Sequence, residues 1–365
     1  MARKYKIVIS DFHIGTGQSS GHLNPWESFG ADDKFAEFLR FYSTDFFEDE
    51  EVELIINGDF YDFLQVKVDG QFHDQVTERM AVQKIKACMD GHQRTHKALQ
   101  EFVRTPHKRV TVLPGNHDFD LVFPKVQEAF RERLTGSKTD PRVQFVCDRE
   151  YYQFDGIQIH HGMQFEAPHY HNFREQFLTN NGSEPILNLP WGSVSIIKVI
   201  TRLREERPYI DRIRPFWAYF IRALVFDPFF ALKVVALSVW YFVRTRLLTF
   251  THFRARLRQT WLLMKETEIY PDLAHKVKHV FDLHPDVHTI ILGHTHIPQV
   301  RRFEGDRQYI NIGCWTNTIS LDMDTFGRES KATYAFIEYP EEGARPTVIL
   351  REWRGYHDIY RDILF

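Results

Sequence analysis

The sequence predicts an α/β protein with a helical segment inserted late in the chain. Three observations carry this. Short β-rich runs alternate with stretches whose apolar residues recur at helical spacing. Several of those runs are apolar almost throughout, as in strands buried on both faces. Between Lys198 and Thr260 the composition changes, with basic and aromatic residues interleaved at a density seen nowhere else in the chain.

The strand candidates come in order. "YKIVIS" (5–10), "ELIIN" (53–57), "RVTVL" (109–113) and "GIQIHH" (156–161) are followed by "HTIIL" (288–292) and "QYINI" (308–312). "TYAFIEY" (333–339) and "TVILREW" (347–353) close the series, and residues 76–104 carry helical periodicity between two of them. There is no internal repeat and no low-complexity linker. The expected organisation is a first core part over 1–165, an insertion over 166–280 and a second core part over 281–365.

Hydrophobic content of 43% and charged content of 26% in 365 residues are those of a soluble globular protein. Cys88, Cys147 and Cys314 include no CxxC, which argues against a disulfide framework or a thiolate zinc site and fits a reducing compartment. The first apolar run, "IVIS", is cut by Asp11 and is too short for a signal-peptide core, so a cytoplasmic location is expected. The net charge of −3 says little about partners. Oligomeric state is not legible.

From Lys198 to Thr260 there are 13 Lys/Arg against Glu205, Glu206, Asp211 and Asp227, about +9, which leaves about −12 for the rest. The longest largely apolar piece, Val234–Val243, falls far short of the ~20 residues a bilayer span needs. The segment reads as helices with an apolar face and a basic rim, on which arginines such as Arg202 and Arg204 or Arg254 and Arg256 would face phosphates or anionic lipid. It is either a subdomain burying its own apolar faces or a surface for acyl chains or an anionic membrane, peripheral on the inner face. Nucleic acid is disfavoured, because continuous Leu/Val/Phe runs are more apolar than a phosphate-tracking groove requires.

Candidate ligands follow the strands one after another. "SDFH" supplies Asp11 and His13, and "NGDFYD" supplies Asp59 with Asp62 three residues on. "PGNHD" supplies Asn116 and His117, "HHG" supplies His161, and "GHTH" supplies His294 and His296. Strand ends converge on one edge of an open sheet, where α/β proteins place their sites. Each fragment alone reads as a turn; five in the same context do not. Carboxylate, imidazole and amide oxygen without thiolate suit Mn²⁺, Fe or Zn²⁺. Seven ligands exceed what one catalytic ion with open positions can use. They suit two ions ~4 Å apart, bridged by a carboxylate. On an extended chain His294 and His296 would point to opposite sides and serve different ions.

The ordered set D-x-H, G-D-x-x-D, G-N-H-D, H-G and G-H-T-H resembles the calcineurin-like metallophosphoesterases, and every element of that signature is present across residues 8–296. The resemblance implies a four-layer αββα sandwich. It implies one ion on Asp11, His13 and His296, another on Asn116, His161 and His294, and Asp59 between them. His117 would contact the phosphate and protonate the leaving group, and Asp62 would orient His117. His160 is the rival to His161, but the family's histidine directly precedes the glycine. The "NIGCWTN" after the last histidines, with the insertion placed as a lid, is similar to UDP-2,3-diacylglucosamine diphosphatases. That implies an amphiphilic, lipid-linked diphosphate as substrate and a role in lipid A biosynthesis. The chain departs from that subfamily in having His117 where Arg is usual, and in its longer insertion. A nucleotide or nucleic-acid phosphodiesterase is the alternative enzyme, and a non-catalytic metal-binding scaffold the alternative of another class.

Overall fold

The structure, a computed structural model, describes residues 3–18, 24–179, 184–214, 216–244, 273–320, 327–329, 331–341, 343–356 and 359–363. Its centre is β1 (Lys4–Ile9), flanked by β2 (Glu51–Asn57), β3 (Lys108–Leu113) and β4 (Val143–Phe145), all parallel. Ile7 and Ile9 face one side of this sheet and Val8 the other, and all three are fully buried. This two-sided burial is why the run is apolar without alternation.

A second group of strands follows in the chain: β5 (Tyr151–Phe154), β6 (Ile157–His160), β7 (Thr289–Leu292), β8 (Pro298–Phe303) and β9 (Arg307–Ile312). β6, β7 and β9 are parallel, with β5 and β8 added antiparallel at the edges. The last strands, β10 (Ala332–Glu338), β11 (Thr347–Trp353) and β12 (Tyr360–Asp362), return to the first sheet and pair antiparallel beyond β1. The two sheets are therefore seven-stranded, β12-β11-β10-β1-β2-β3-β4, and five-stranded, β8-β9-β7-β6-β5.

The sheets pack face to face through Val8, Ile55 and Leu113 on one side and Ile159, Ile291 and Ile310 on the other. Helices α1 (Asp32–Phe41), α2 (Glu78–Gly91), α3 (Gln93–Arg104) and α4 (Pro124–Thr135) cover the outer face of the larger sheet. Phe35, Phe38, Leu99, Phe102 and Phe130 fill that layer. Each such side chain contributes ~1.5–3 kcal/mol of burial, and a charge at Val8 or Phe38 would forfeit that and bury an unpaired ion as well. The helix Leu273–Leu283 covers the smaller sheet with Leu273, Val277 and Phe281. The result is a four-layer αββα sandwich. The expected helical stretch 76–104 is two helices, broken at His92, whose φ of −125° and ψ of 55° leave the helical region.

The insertion opens with loops and a short antiparallel pair, Phe177–Leu178 with Ile186–Leu187, and is mainly helical from Trp191 on where described. It runs through α5 (Trp191–Ser195), a π-helical turn (Ile196–Ile200), α6 (Thr201–Glu206), α7 (Phe216–Phe226) and α8 (Pro228–Phe242). Its inner side makes a small core of Val199, Leu203, Ile210, Phe230 and Tyr241. Its outer side leaves Phe226 84% and Phe229 85% exposed, beside exposed Val225, Leu232 and Val239. Among the described residues no helix is long and apolar enough to cross a membrane. The expectation that Arg204 faces phosphate or lipid is wrong. Its side chain is fully buried and paired with Asp211 at 2.6 Å, while Arg202 is exposed. Arg254 and Arg256 lie outside the described residues.

Candidate metal centre

The loops after β1 and β2 zip together through their backbones. Asp11 N donates to Gly58 O, Phe12 N and His13 N to Asp59 O, and Asp62 N to Ile14 O, at 2.9–3.2 Å. The Asp118 carboxylate ties the third loop to the second. One oxygen accepts from Asp59 N (3.1 Å) and Gly115 N (2.7 Å), the other from Phe60 N (2.8 Å) and Tyr61 N (3.2 Å). Burial and the neighbouring Asp59 push Asp118 up to about 7, against the pull of those amides. The second sheet is joined across the gap: Asn57 donates its side-chain amide to His160 O at 2.7 Å, and Asp11 Oδ2 accepts from His294 N at 2.9 Å.

Ten described non-glycine residues have positive φ, and five of them are Asp11 (57°), His13 (52°), Asp59 (51°), His294 (70°) and His296 (62°). Backbone held in this sparsely populated region clusters at functional sites, where surrounding bonds enforce it. The same observation corrects the picture of "GHTH" as an extended chain. The segment after β7 is a bend with left-handed residues, not an alternating strand. His294 and His296 still reach different clusters, because each left-handed residue turns the chain. Gly58, at φ 78°, lies where a Cβ would collide with the His161 ring.

The side chains gather into triplets whose ligand atoms lie within 4.8 Å of one another: Asp11, His13 and His296; Asp59, His161 and His294; and His13, Asp59 and His117. In the first, His13 Nε2 faces His296 Nε2 at 3.0 Å, and Asp11 Oδ1 lies 3.3 Å from His296 Nε2. Asp11 Oδ1 is buried with no hydrogen-bond partner. An orphaned carboxylate oxygen beside imidazole nitrogens is what a cation would satisfy. In the second, His161 Nδ1 donates to Asn57 O at 2.8 Å, which orients Nε2 toward Asp59 Oδ2 (3.3 Å) and Asn116 Oδ1 (3.2 Å). His160 instead turns Nε2 to Gln158 at 3.1 Å. Asp59 Oδ2 lies between the clusters, 3.8 Å from His13 Nε2. Burial opposes its charge, but His161 and His117 hold it well below the usual carboxylate range. The donor set fits divalent cations.

His117 stands beside these groups. Its Nδ1 is 2.9 Å from Asp62 Oδ1, and its side chain is 16% exposed where Asp62 is buried. Burial would lower its pKa, but Asp62 and Asp59 raise it to about 9. Several residues at the site were not singled out from sequence. Asp118 was within the quoted "GNHD" but had no assigned role. Glu166, 3.0 Å from His294 Nε2, and Ser193, whose hydroxyl is 3.4 Å from Asn116 O, come from the stretch after "HHG" and left no sequence signal.

No family model matches the chain, and no curated protein matches it. Solved structures that resemble it include a dimetal phosphatase from Danio rerio, at 13% identity over 99% of this chain and 98% of that one, with a TM-score of 0.40. A predicted phosphoesterase from Streptococcus pneumoniae aligns at 11% identity over 100% and 98%, with a TM-score of 0.31. Vps29 from Chaetomium thermophilum aligns at 8% over 96% and 92%, with a TM-score of 0.32. Likenesses this remote leave function to be read from the side chains.

Proposed function

We propose that the protein is a calcineurin-like, metal-dependent phosphoesterase that hydrolyses a phosphodiester or pyrophosphate bond. The observation that carries this is the pair of adjoining triplets with Asp59 Oδ2 between them and an unpartnered Asp11 oxygen at their edge. Asp11, His13 and His296 would hold one divalent ion, Asn116, His161 and His294 another, and Asp59 both; manganese is favoured, with iron or zinc next. When bound, such ions supply Lewis acidity toward phosphoryl oxygen and a nucleophile from water at neutral pH.

The chain's own residues supply the rest. His117 gives its Nε2 proton to the leaving oxygen as the P–O bond breaks, and Asp62 on Nδ1 keeps that nitrogen turned away from the substrate. Asp118 holds the backbones of the second and third ligand loops in register. The favoured substrate is an amphiphilic, lipid-linked diphosphate. Support comes from the exposed apolar side of α7 and α8, with Phe226, Phe229 and Leu232, on helices that also expose Arg222 and, paired with Glu206, Lys233. That surface also fits peripheral contact with an anionic membrane.

The test is hydrolysis of a chromogenic phosphodiester by metal-free and Mn²⁺-loaded protein, with Asp59→Ala as control. Activity should need metal, Asp59→Ala should abolish it, and elemental analysis should find about two ions per loaded chain. Activity in a thoroughly metal-free preparation overturns the proposal. Comparing kcat/KM for acylated and deacylated forms of one diphosphate tests the substrate class, and equal values exclude the lipid reading.

A further inference from the structure

We infer that Arg204, on α6 of the insertion, is a positioning residue for His117, acting through Gln65 and Asp62. The inference rests on His117 being the proton donor proposed above. Four side chains make an unbroken path. Arg204 Nη1 donates to Gln65 Oε1 at 2.9 Å, Gln65 Nε2 donates to Asp62 Oδ2 at 2.7 Å, and Asp62 Oδ1 meets His117 Nδ1 at 2.9 Å. All but His117 are buried, and the Arg204 side chain is fully so.

The direction of each bond follows from chemistry. A guanidinium has donors only, so Gln65 must turn its carbonyl oxygen toward Arg204. Its NH₂ is thereby aimed at Asp62 and, at 3.3 Å, at Asp211. Asp62 Oδ2 is then committed, which leaves Oδ1 for the His117 ring. Without the Gln65 amide, Oδ2 has His13 Nδ1 at 3.9 Å as its next neighbour, and the carboxylate is free to turn away from His117.

Arg204 is itself held by Pro25 O at 2.8 Å, Ser28 Oγ at 3.2 Å and the Asp211 carboxylate at 2.6 Å. An Arg–Asp pair within the insertion would suffice to tie the insertion to itself. The Gln65 bond does something further: it crosses to the segment just after Asp59 and reaches the proton donor. The insertion is in this way part of the catalytic arrangement.

The experiment uses the full, metal-loaded chain and two phosphodiesters, one releasing 4-nitrophenolate and one an alkoxide. Gln65→Leu cuts the path while leaving the Arg204–Asp211 pair intact, so it serves if Arg204→Met fails to fold. Both variants should keep wild-type metal content. Both should lose ~10–100-fold in kcat/KM on the alkyl ester, the usual scale for a supporting partner, and much less on the nitrophenyl ester. In a His117→Ala background neither should cause further loss, because coupled residues are non-additive. Equal loss on both esters, loss of metal, full additivity with His117→Ala, or unchanged rates each overturn the inference. If His117→Ala alone loses equally on both esters, the proton-donor role fails first, and this inference falls with it.

Discussion

Replacing Asp118 by Asn tests whether one buried carboxylate organises the centre. Its two oxygens each accept from two backbone amides, Asp59 and Gly115 on one, Phe60 and Tyr61 on the other, at 2.7–3.2 Å. An Asn side chain has one acceptor oxygen, so it can satisfy only one of those pairs. The other pair of N–H donors then faces an NH₂ group. Leaving a buried donor unsatisfied costs ~1–3 kcal/mol, so two cost ~2–6 kcal/mol. Asp118 is fully buried, so water cannot take the place of the lost acceptor. Against a typical total stability of ~5–15 kcal/mol this is a large fraction. Urea denaturation of the metal-free protein should show a lower midpoint with an unchanged slope. Metal affinity should fall as well, because the amides freed are those of Asp59 and its neighbours. A loss below ~0.5 kcal/mol, the range of ordinary surface substitutions, would refute the view that Asp118 holds the loops.

The parts legible in sequence were those set by local pattern. Strands buried on both faces announce themselves as apolar runs, so β1, β2, β3 and β7 sit within one or two residues of expectation. The candidate ligands were singled out because each follows a strand. Edge strands such as β8, only partly buried, mix polar and apolar residues and gave no clear signal. The left-handed backbone at His294 and His296 was invisible, since nothing in a histidine favours it over an extended conformation. Arg204 was misjudged for a general reason. Charged residues are almost always at the surface unless paired; Asp211 is near in sequence, but the Pro25, Ser28 and Gln65 contacts that enclose the side chain come from 139 or more positions away. The supporting partners Glu166, Gln65 and Asn57 depend wholly on tertiary placement.

Further perturbations follow from the same geometry. Glu166 lies 3.0 Å from His294 Nε2, and burial notwithstanding, His294 holds it down to about 2; it accepts from Nε2–H and leaves Nδ1 as the ligand atom. Glu166→Ala should therefore weaken metal binding ~10–100-fold, read by competition with a chelating dye; unchanged affinity refutes the pairing. Gly58→Ala forces a side chain into the left-handed region and against His161. It should cost more than ~1 kcal/mol and lower metal content, and a well-folded, fully loaded variant would contradict it. The last test is of pH and lies away from the metal ligands. His92 is buried, with Nδ1 3.0 Å from Asp32 and Nε2 3.1 Å from Glu27. Burial would lower its pKa, but the two carboxylates raise it from 6.5 to about 9. A raised folded-state value means the charged form is favoured by folding. Its stabilisation is complete below about pH 6.5 and lost as pH rises through about 9. A shift of this size corresponds to roughly 3 kcal/mol at most. Asp32, held below its usual value by His92 and Thr95 despite burial, works in the opposite window, losing its contribution as pH falls below about 4. Denaturation midpoints of the metal-free protein between pH 6 and pH 9.5 should decline in wild type. In His92→Gln that decline should flatten, because a neutral amide has no proton to lose. A decline of equal slope in both proteins would show that the His92 pair contributes nothing to it, and that the carboxylates do not hold the ring charged.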